Sequence, residues 1–157
     1  MDQDALQRCL DKQEITEASH RYVIGLDGLD RDMLLSVGHP AGTVDFDGMF
    51  AGTWPAFVDW VIPAHQALLF HNHRVTNLLI DLDGDTASSR ANVTATLLIK
   101  QPSGDVDERR IQARYLDKWA RDGRRWVITE RKLMRDLRRT TRIPAADFQS
   151  RYIIEKH

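Results

Sequence analysis

One cysteine, Cys9, stands in 157 residues. It excludes an intramolecular disulfide and a cysteine-rich zinc site. A surplus of either charge is also missing: 22 basic and 23 acidic residues leave a formal net charge of −1. That balance argues against a general polyanion binder, which needs a basic excess to displace counterions. No uncharged apolar run approaches the roughly 20 residues required to span a bilayer. The opening Met1-Asp2-Gln3-Asp4 has acids where a secretory leader has a basic stretch ahead of an apolar run, so no leader is expected. Repeats and low-complexity segments are absent as well. A soluble, cytoplasmic protein is the expectation, folded as one domain over residues 1–157. Its 42 % apolar content is enough for one core.

What is there divides into a helical first half and a β-like second half. Leu6, Leu10, Ile15, Ala18, Tyr22 and Leu26 recur at steps of three to five and predict a helix over 4–26. "LDGLDRD" (26–32) is its turn-like exit, and Met33–Val37 reads as a short second helix closed by Gly38-His39-Pro40. Thr43–Phe46 reads as a short strand. Trp54–Leu69 is a further helix, capped by Thr53 with Pro55 in its first turn. Pro63 should kink or split it, because a mid-helix proline lacks a donor and clashes one turn back.

From residue 70 long β-like segments follow, joined at "DGD" (83–85), "PSGD" (102–105) and "RDGRR" (121–125). In one, the odd positions Ala87 to Ile99 form a small-apolar face against polar even positions. Two segments change phase. His73, Val75 and Asn77 are odd while residues 78, 80 and 82 are apolar and even. Trp126 and Ile128 are even while Leu133, Arg135 and Leu137 are odd. For both sets to face one interior, an extra residue must intervene near 77–78 and again in the last strand. The expectation is an α+β fold: a strongly curved antiparallel sheet with the N-terminal helices on one face, and a short helix from Ala145 onward.

"LLFHNHRVTN" (68–77) raises the question of chemistry. His71 and His73 share a strand face, with His65 nearby in sequence, so a metal pair is possible. No acid follows on that face before Asp81, and no metal is expected. "DLDGDT" (81–86) begins like a calcium loop, but the loop glycine position is Thr86 and the closing glutamate position is Asn92, so it reads as a hairpin. The arginines at 109–110, 124–125 and 138–142 are interspersed with acids and read as a solvated face.

Taken in order, "RYVIGLDGLD", "HNHRVTNLLIDLDGDTA" and "GRRWVITERKLMRD" resemble the SnoaL-like branch of the nuclear transport factor two-like superfamily over about residues 10–140. Scytalone dehydratase, bile acid dehydratase, hexachlorocyclohexane dehydrochlorinase and ketosteroid isomerase are members. The resemblance implies a cone around one apolar pocket and proton-abstraction chemistry on a small hydrophobic molecule, with no cofactor. It implies a dyad of His73 as base and Asp27 as its orienter, with Tyr22 and Arg135 stabilising charge or protonating a leaving group. Tyr22 and Asp27 lie about 140° apart on an ideal helix and converge only if the helix unwinds near Gly25–Gly28. Trp54, Phe57, Trp60, Val75, Asn77, Val93, Leu97, Tyr115 and Leu133 are the expected walls, alongside Phe50, Val61, Leu69, Ile111 and Leu137, and an aromatic-rich wall suits an aromatic or polycyclic ligand. Ala95 occupies the position nearest to an aspartate that the bile acid dehydratase carries.

The resemblance leaves three readings open. One is a lyase, working by dehydration, other elimination or retro-aldol cleavage. A second is an isomerase or cyclase using the same dyad. The third is a non-catalytic cone that binds a small molecule or a protein. A homo-oligomer, dimer or trimer, is expected from apolar residues such as Leu98 and Leu116 on the outer sheet face. Neither nucleic acid nor membrane is an expected partner.

Overall fold

The computed structural model describes residues 2–151, so the tail of the expected C-terminal helix, 152–157, lies outside the described residues. Helix α1 spans Gln3–Asp27, with the Asp2 carboxylate accepting from the Asp4 N–H at its start. Its buried residues, Asp11, Ile15, Ala18, Ser19, Tyr22, Val23 and Leu26, recur at one helical turn and define the face turned to the sheet. Leu6 and Leu10, expected on that stripe, are 43 % and 54 % exposed. The stripe instead begins at Asp11. Its carboxylate is held by the Arg121 guanidinium at 2.7 Å and the Trp126 indole N–H at 3.2 Å. A buried carboxylate needs such partners, and here they fasten the helix to the last hairpin.

Helix α2 (Arg31–Val37) is capped by Asp30, whose side chain accepts from the Met33 N–H. Helix α3 (Trp54–Gln66) is capped by Thr53, as expected. Pro63 neither splits nor ends it: the helix continues to Gln66, less than one turn further.

The sheet has six strands in the order β2-β1-β6-β5-β4-β3. Strands β3 (Phe70–Asp83), β4 (Thr86–Lys100), β5 (Val106–Asp122) and β6 (Arg125–Ile143) form an antiparallel meander. Its three tight turns place Gly84, Gly104 and Gly123 at φ of +57°, +91° and +62°, where a side chain is strained. Strand β1 (Gly38–Asp45) lies parallel to β6, and the three-residue β2 (Ala51–Thr53), not anticipated from sequence, pairs with β1. The C-terminal helix α4 (Ala145–Arg151) begins where expected.

Both phase changes are bulges. Between Thr76 and Leu79, β3 sets two residues against one on β4, and Asn77 adopts φ +54°. On β6, Thr129 is the extra residue between the pairs Ile128–Trp119 and Glu130–Lys118. A second β6 bulge at Asp136 was not anticipated. It turns Leu137, expected in phase with Leu133, to the outside, where it is 54 % exposed.

The core lies between α1, α2, α3 and the concave sheet face. Trp54, Trp119 and Trp126 are fully buried, and each indole N–H has a partner: the Leu34 carbonyl, the Ser89 hydroxyl and the Asp11 carboxylate. Trp54 sits so close to β1 that a Cβ on Gly38 would come within 2.0 Å of its ring, so glycine is required there.

Candidate active site

Helix α1 ends at Asp27, and the Asp27 side chain faces the first half of β3. The carboxylate gathers donors from consecutive residues of that strand. The His73 ring Nδ1 lies 2.7 Å from Oδ1, and the His73 backbone N–H reaches Oδ1 at 3.1 Å and Oδ2 at 2.9 Å. The Asn72 amide donates to Oδ2 at 3.1 Å, and His71 Nδ1 lies 3.5 Å from Oδ1. Burial pushes the Asp27 carboxyl up, but the side chains of His71 and His73 and the His73 backbone N–H outweigh it. Asp27 is therefore held well below the usual carboxylate range. An ionised carboxylate can only accept, so the proton between Asp27 and His73 resides on His73 Nδ1. In the neutral imidazole the other ring nitrogen, Nε2, then carries the lone pair, on a residue that lines a cavity.

Asp27, His71 and His73 also bring ligand-type atoms within 4.8 Å of one another. Around a tetrahedral cation with bonds near 2.0–2.1 Å, ligand atoms stand roughly 3.3 Å apart. The 2.7 Å between His73 and Asp27 is instead the length of a charge-assisted hydrogen bond.

The cavity has a volume of about 240 Å³. Trp60, Val93, Leu97, Tyr115 and Leu133, named above as walls, line it beside His73, and so do Val61 and Ile111. Ala95 forms part of the wall, so the middle strand presents a methyl group where the bile acid dehydratase is expected to present an acid. Polar side chains among the lining residues come from His65, His73, Arg109 and Tyr115, and the remainder are apolar.

Several expected site residues lie elsewhere. Tyr22 is fully buried behind the wall, packed edge-on to Tyr115 at 5.7 Å and against Trp54 and Phe57. Helix α1 does not unwind before Asp27, so the helical rotation keeps Tyr22 and Asp27 on different faces. Trp54 and Phe57, with no exposed surface, are core residues in the same cluster rather than walls. Val75 packs against the core, and Asn77 is turned out by the bulge that it forms. Arg135 points its guanidinium at the loop after β1, donating to Asp47 Oδ2 at 2.8 Å and the Asp47 carbonyl at 3.0 Å. His71 is a second partner of Asp27 and does not line the cavity.

Three residues were missed. Arg131, four residues before the expected Arg135, is the buried arginine of the last strand. It forms a two-armed ion pair with Asp117, and its guanidinium lies 4.0 Å from the Tyr22 ring and 4.2 Å from the Tyr115 ring. Asp117 falls in phase with Ile111, Ala113 and Tyr115. That acid on an inward face was the available signal. His65, weighed only as a metal ligand, lines the cavity from α3. Its Nδ1 lies 3.0 Å from the Val61 carbonyl, so Nδ1 carries the proton and Nε2, without a partner, is an acceptor. Burial, and then charge on His73, push its pKa down to about 4. Arg109, read as part of a solvated cluster, also turns inward. Tyr115 was expected only as a wall. Burial raises both its pKa and that of Tyr22, so both phenols stay protonated.

Among known proteins, the sequence model of a SnoaL-like domain matches residues 7–132. No curated protein matches the chain in sequence. A protein from Kribbella flavida, Kfla4162, has a similar structure (TM-score 0.74, 21 % identity, covering 83 % of this chain and 93 % of that one). A candidate scytalone dehydratase from Novosphingobium aromaticivorans is alike at TM-score 0.76 and 16 % identity, over 88 % and 92 % of the two chains. A hexachlorocyclohexane dehydrochlorinase of type 3 from Novosphingobium barchaimii follows at TM-score 0.70 and 18 % identity, over 90 % and 94 %. At these identities the likeness is one of fold.

Proposed function

The chain belongs to the SnoaL-like domain family, and from that premise we propose that it is a cofactor-independent lyase acting on a small hydrophobic, aromatic or polycyclic substrate. The observation that carries the reading is the 2.7 Å contact between His73 Nδ1 and Asp27 Oδ1 at the wall of a mostly apolar cavity. His73 Nε2 removes a proton from the carbon beside the one bearing the leaving group. The C–H electron pair becomes the new C=C bond, and the C–X bond breaks with its electrons on X. Where X is hydroxyl, His73 returns the proton and water leaves. In a retro-aldol cleavage, His73 takes the proton from a hydroxyl group instead: the oxygen forms a C=O bond, the neighbouring C–C bond breaks with its electrons on the departing carbon, and His73 returns the proton to that carbon.

Asp27 supports this chemistry in two ways. It holds the imidazole in the Nδ1–H tautomer, and its charge stabilises the imidazolium that forms. Tyr115, protonated and on the cavity wall, takes the charge-stabilising role that the resemblance assigned to Tyr22. The apolar wall excludes water and strengthens each of these interactions.

The test is His73→Ala, measured on a panel of aromatic and alicyclic alcohols and halides by release of water or halide. Turnover should disappear while binding of apolar ligands persists. Full turnover in the variant would overturn the assignment of the base. Products of unchanged mass would mark an isomerase rather than a lyase.

A further inference from the structure

Most arginines on the concave side of the sheet are answered by an acid. Arg131 pairs with Asp117, Arg135 with Asp47 and Arg142 with Asp107. Arg109 is different. It is the fourth residue of β5, its side chain lines the apolar cavity, and it has no ion pair among the described residues. Its Nε is buried and donates to nothing among the described residues. The two acids beside it in sequence are engaged elsewhere, Asp107 by Arg142 and Glu108 by Arg110. A second cation flanks it. Arg138 is the register partner of the cavity-lining Ile111, and cross-strand partners share a sheet face. Arg138 is exposed and has no ion pair among the described residues either.

A guanidinium is charged at every accessible pH and carries five donors in a rigid planar fork. Leaving one of those donors buried without an acceptor is costly, and a bound acceptor relieves that cost. A carboxylate matches the fork in shape and charge. We propose that Arg109 is a specificity residue: it anchors a carboxylate on an otherwise apolar substrate. The inference rests on the cavity being the substrate site.

The register sets the scale of that substrate. His73 pairs with Ala95, Ala95 pairs with Ile111, and Arg109 lies two residues from Ile111 on the same strand. Two strand spacings across the sheet and two residues along it therefore put the backbones of base and anchor roughly 12 Å apart. A fused two-ring frame spans much of that distance, so the acid group sits on the ring system at the end away from the reacting carbon.

The test is calorimetric binding at neutral pH, using the full chain and paired probes that differ only in charge: benzoate with methyl benzoate, and 2-naphthoate with methyl 2-naphthoate. The acids should bind about ten- to hundredfold more tightly than their esters, with the larger preference for the naphthyl pair. Arg109→Gln should abolish the preference by weakening acid binding much more than ester binding, and Arg109→Lys should keep part of it. Thermal melting checks that the variants are folded. No acid preference in the native chain for either pair, or a preference that survives Arg109→Gln, overturns the proposal. The readout is binding alone. An active His73→Ala variant would defeat the assigned base without touching this result, and absence of the acid preference in the native chain would defeat the anchor without touching the base.

Discussion

Asp117 and Arg131 are register partners on β5 and β6, and their side chains close a two-armed ion pair of 2.8 Å on each arm. The pair is almost wholly removed from solvent, with side-chain exposures of 3 % and 1 %. The guanidinium carbon lies over the rings of both Tyr22 and Tyr115, 4.0 Å and 4.2 Å from their centres. The charge that the cone keeps deepest is thus a structural strut behind the cavity wall.

Removing one partner of such a pair leaves the other charge buried and uncompensated. Asp117→Ala should cost about 3–5 kcal/mol of stability in urea denaturation. The double variant Asp117→Leu with Arg131→Met should recover most of that loss, because the desolvation penalty disappears with the second charge. An additive, larger loss in the double variant would show that the pair contributes more than it costs to bury.

Asp27→Asn should lower turnover about 10²–10⁴-fold with apolar ligand binding retained, since the amide neither stabilises an imidazolium nor fixes its tautomer as a carboxylate does. It should also change the acid limb of stability. Asp27 has a folded pKa below its ordinary value of 3.8. Its contribution is therefore complete above that value and is lost as pH falls below it toward the folded pKa. Melting temperature measured against pH should fall less steeply below about pH 4 in the variant than in the native chain.

His65 acts in the same sense but in a higher window. Its pKa is pushed from 6.5 down to about 4 on folding, so the unfolded chain holds the extra proton between those values. Stability should therefore rise with pH from about 4 to 6.5 and level off above it. The groups facing His65 are His71, His73 and Asp27. His65→Phe should remove a slope worth about 3 kcal/mol across that window. An unchanged pH profile of denaturation would place the titration elsewhere.

Features set by local chemistry were legible in the sequence. The three turns of the meander showed as Gly-Asp and Asp-Gly signals. The long helices showed in their caps and apolar spacing, and the β3 bulge showed as a change of phase. Strand β2 was invisible because its three residues are all exposed and owe their pairing to β1. Asp27 and His73 were found through resemblance, 46 positions apart, with no local signal joining them. The arginines were hardest. Arg109, Arg131 and Arg135 are chemically identical and lie on arginine-rich strands. Only register and the position of an acid partner tell a strut, a loop tether and an unpaired cavity cation apart. Tyr22 and Tyr115 were confused for a related reason: both are buried, and only the straightness of α1 decides which one reaches the cavity.

The bulge at Asn77 has a consequence for how the chain tolerates change. His73 and Ile80 are an odd number of residues apart, yet both pair with inward residues of β4, Ala95 and Ser89. One extra residue reconciles the two halves of β3. The half before it carries the base, and the half after it carries part of the core. The two halves therefore answer to different parities of the same count. Contacts elsewhere hold each half in place, but a single position holds them in step, and the site depends on that count as much as on any bond.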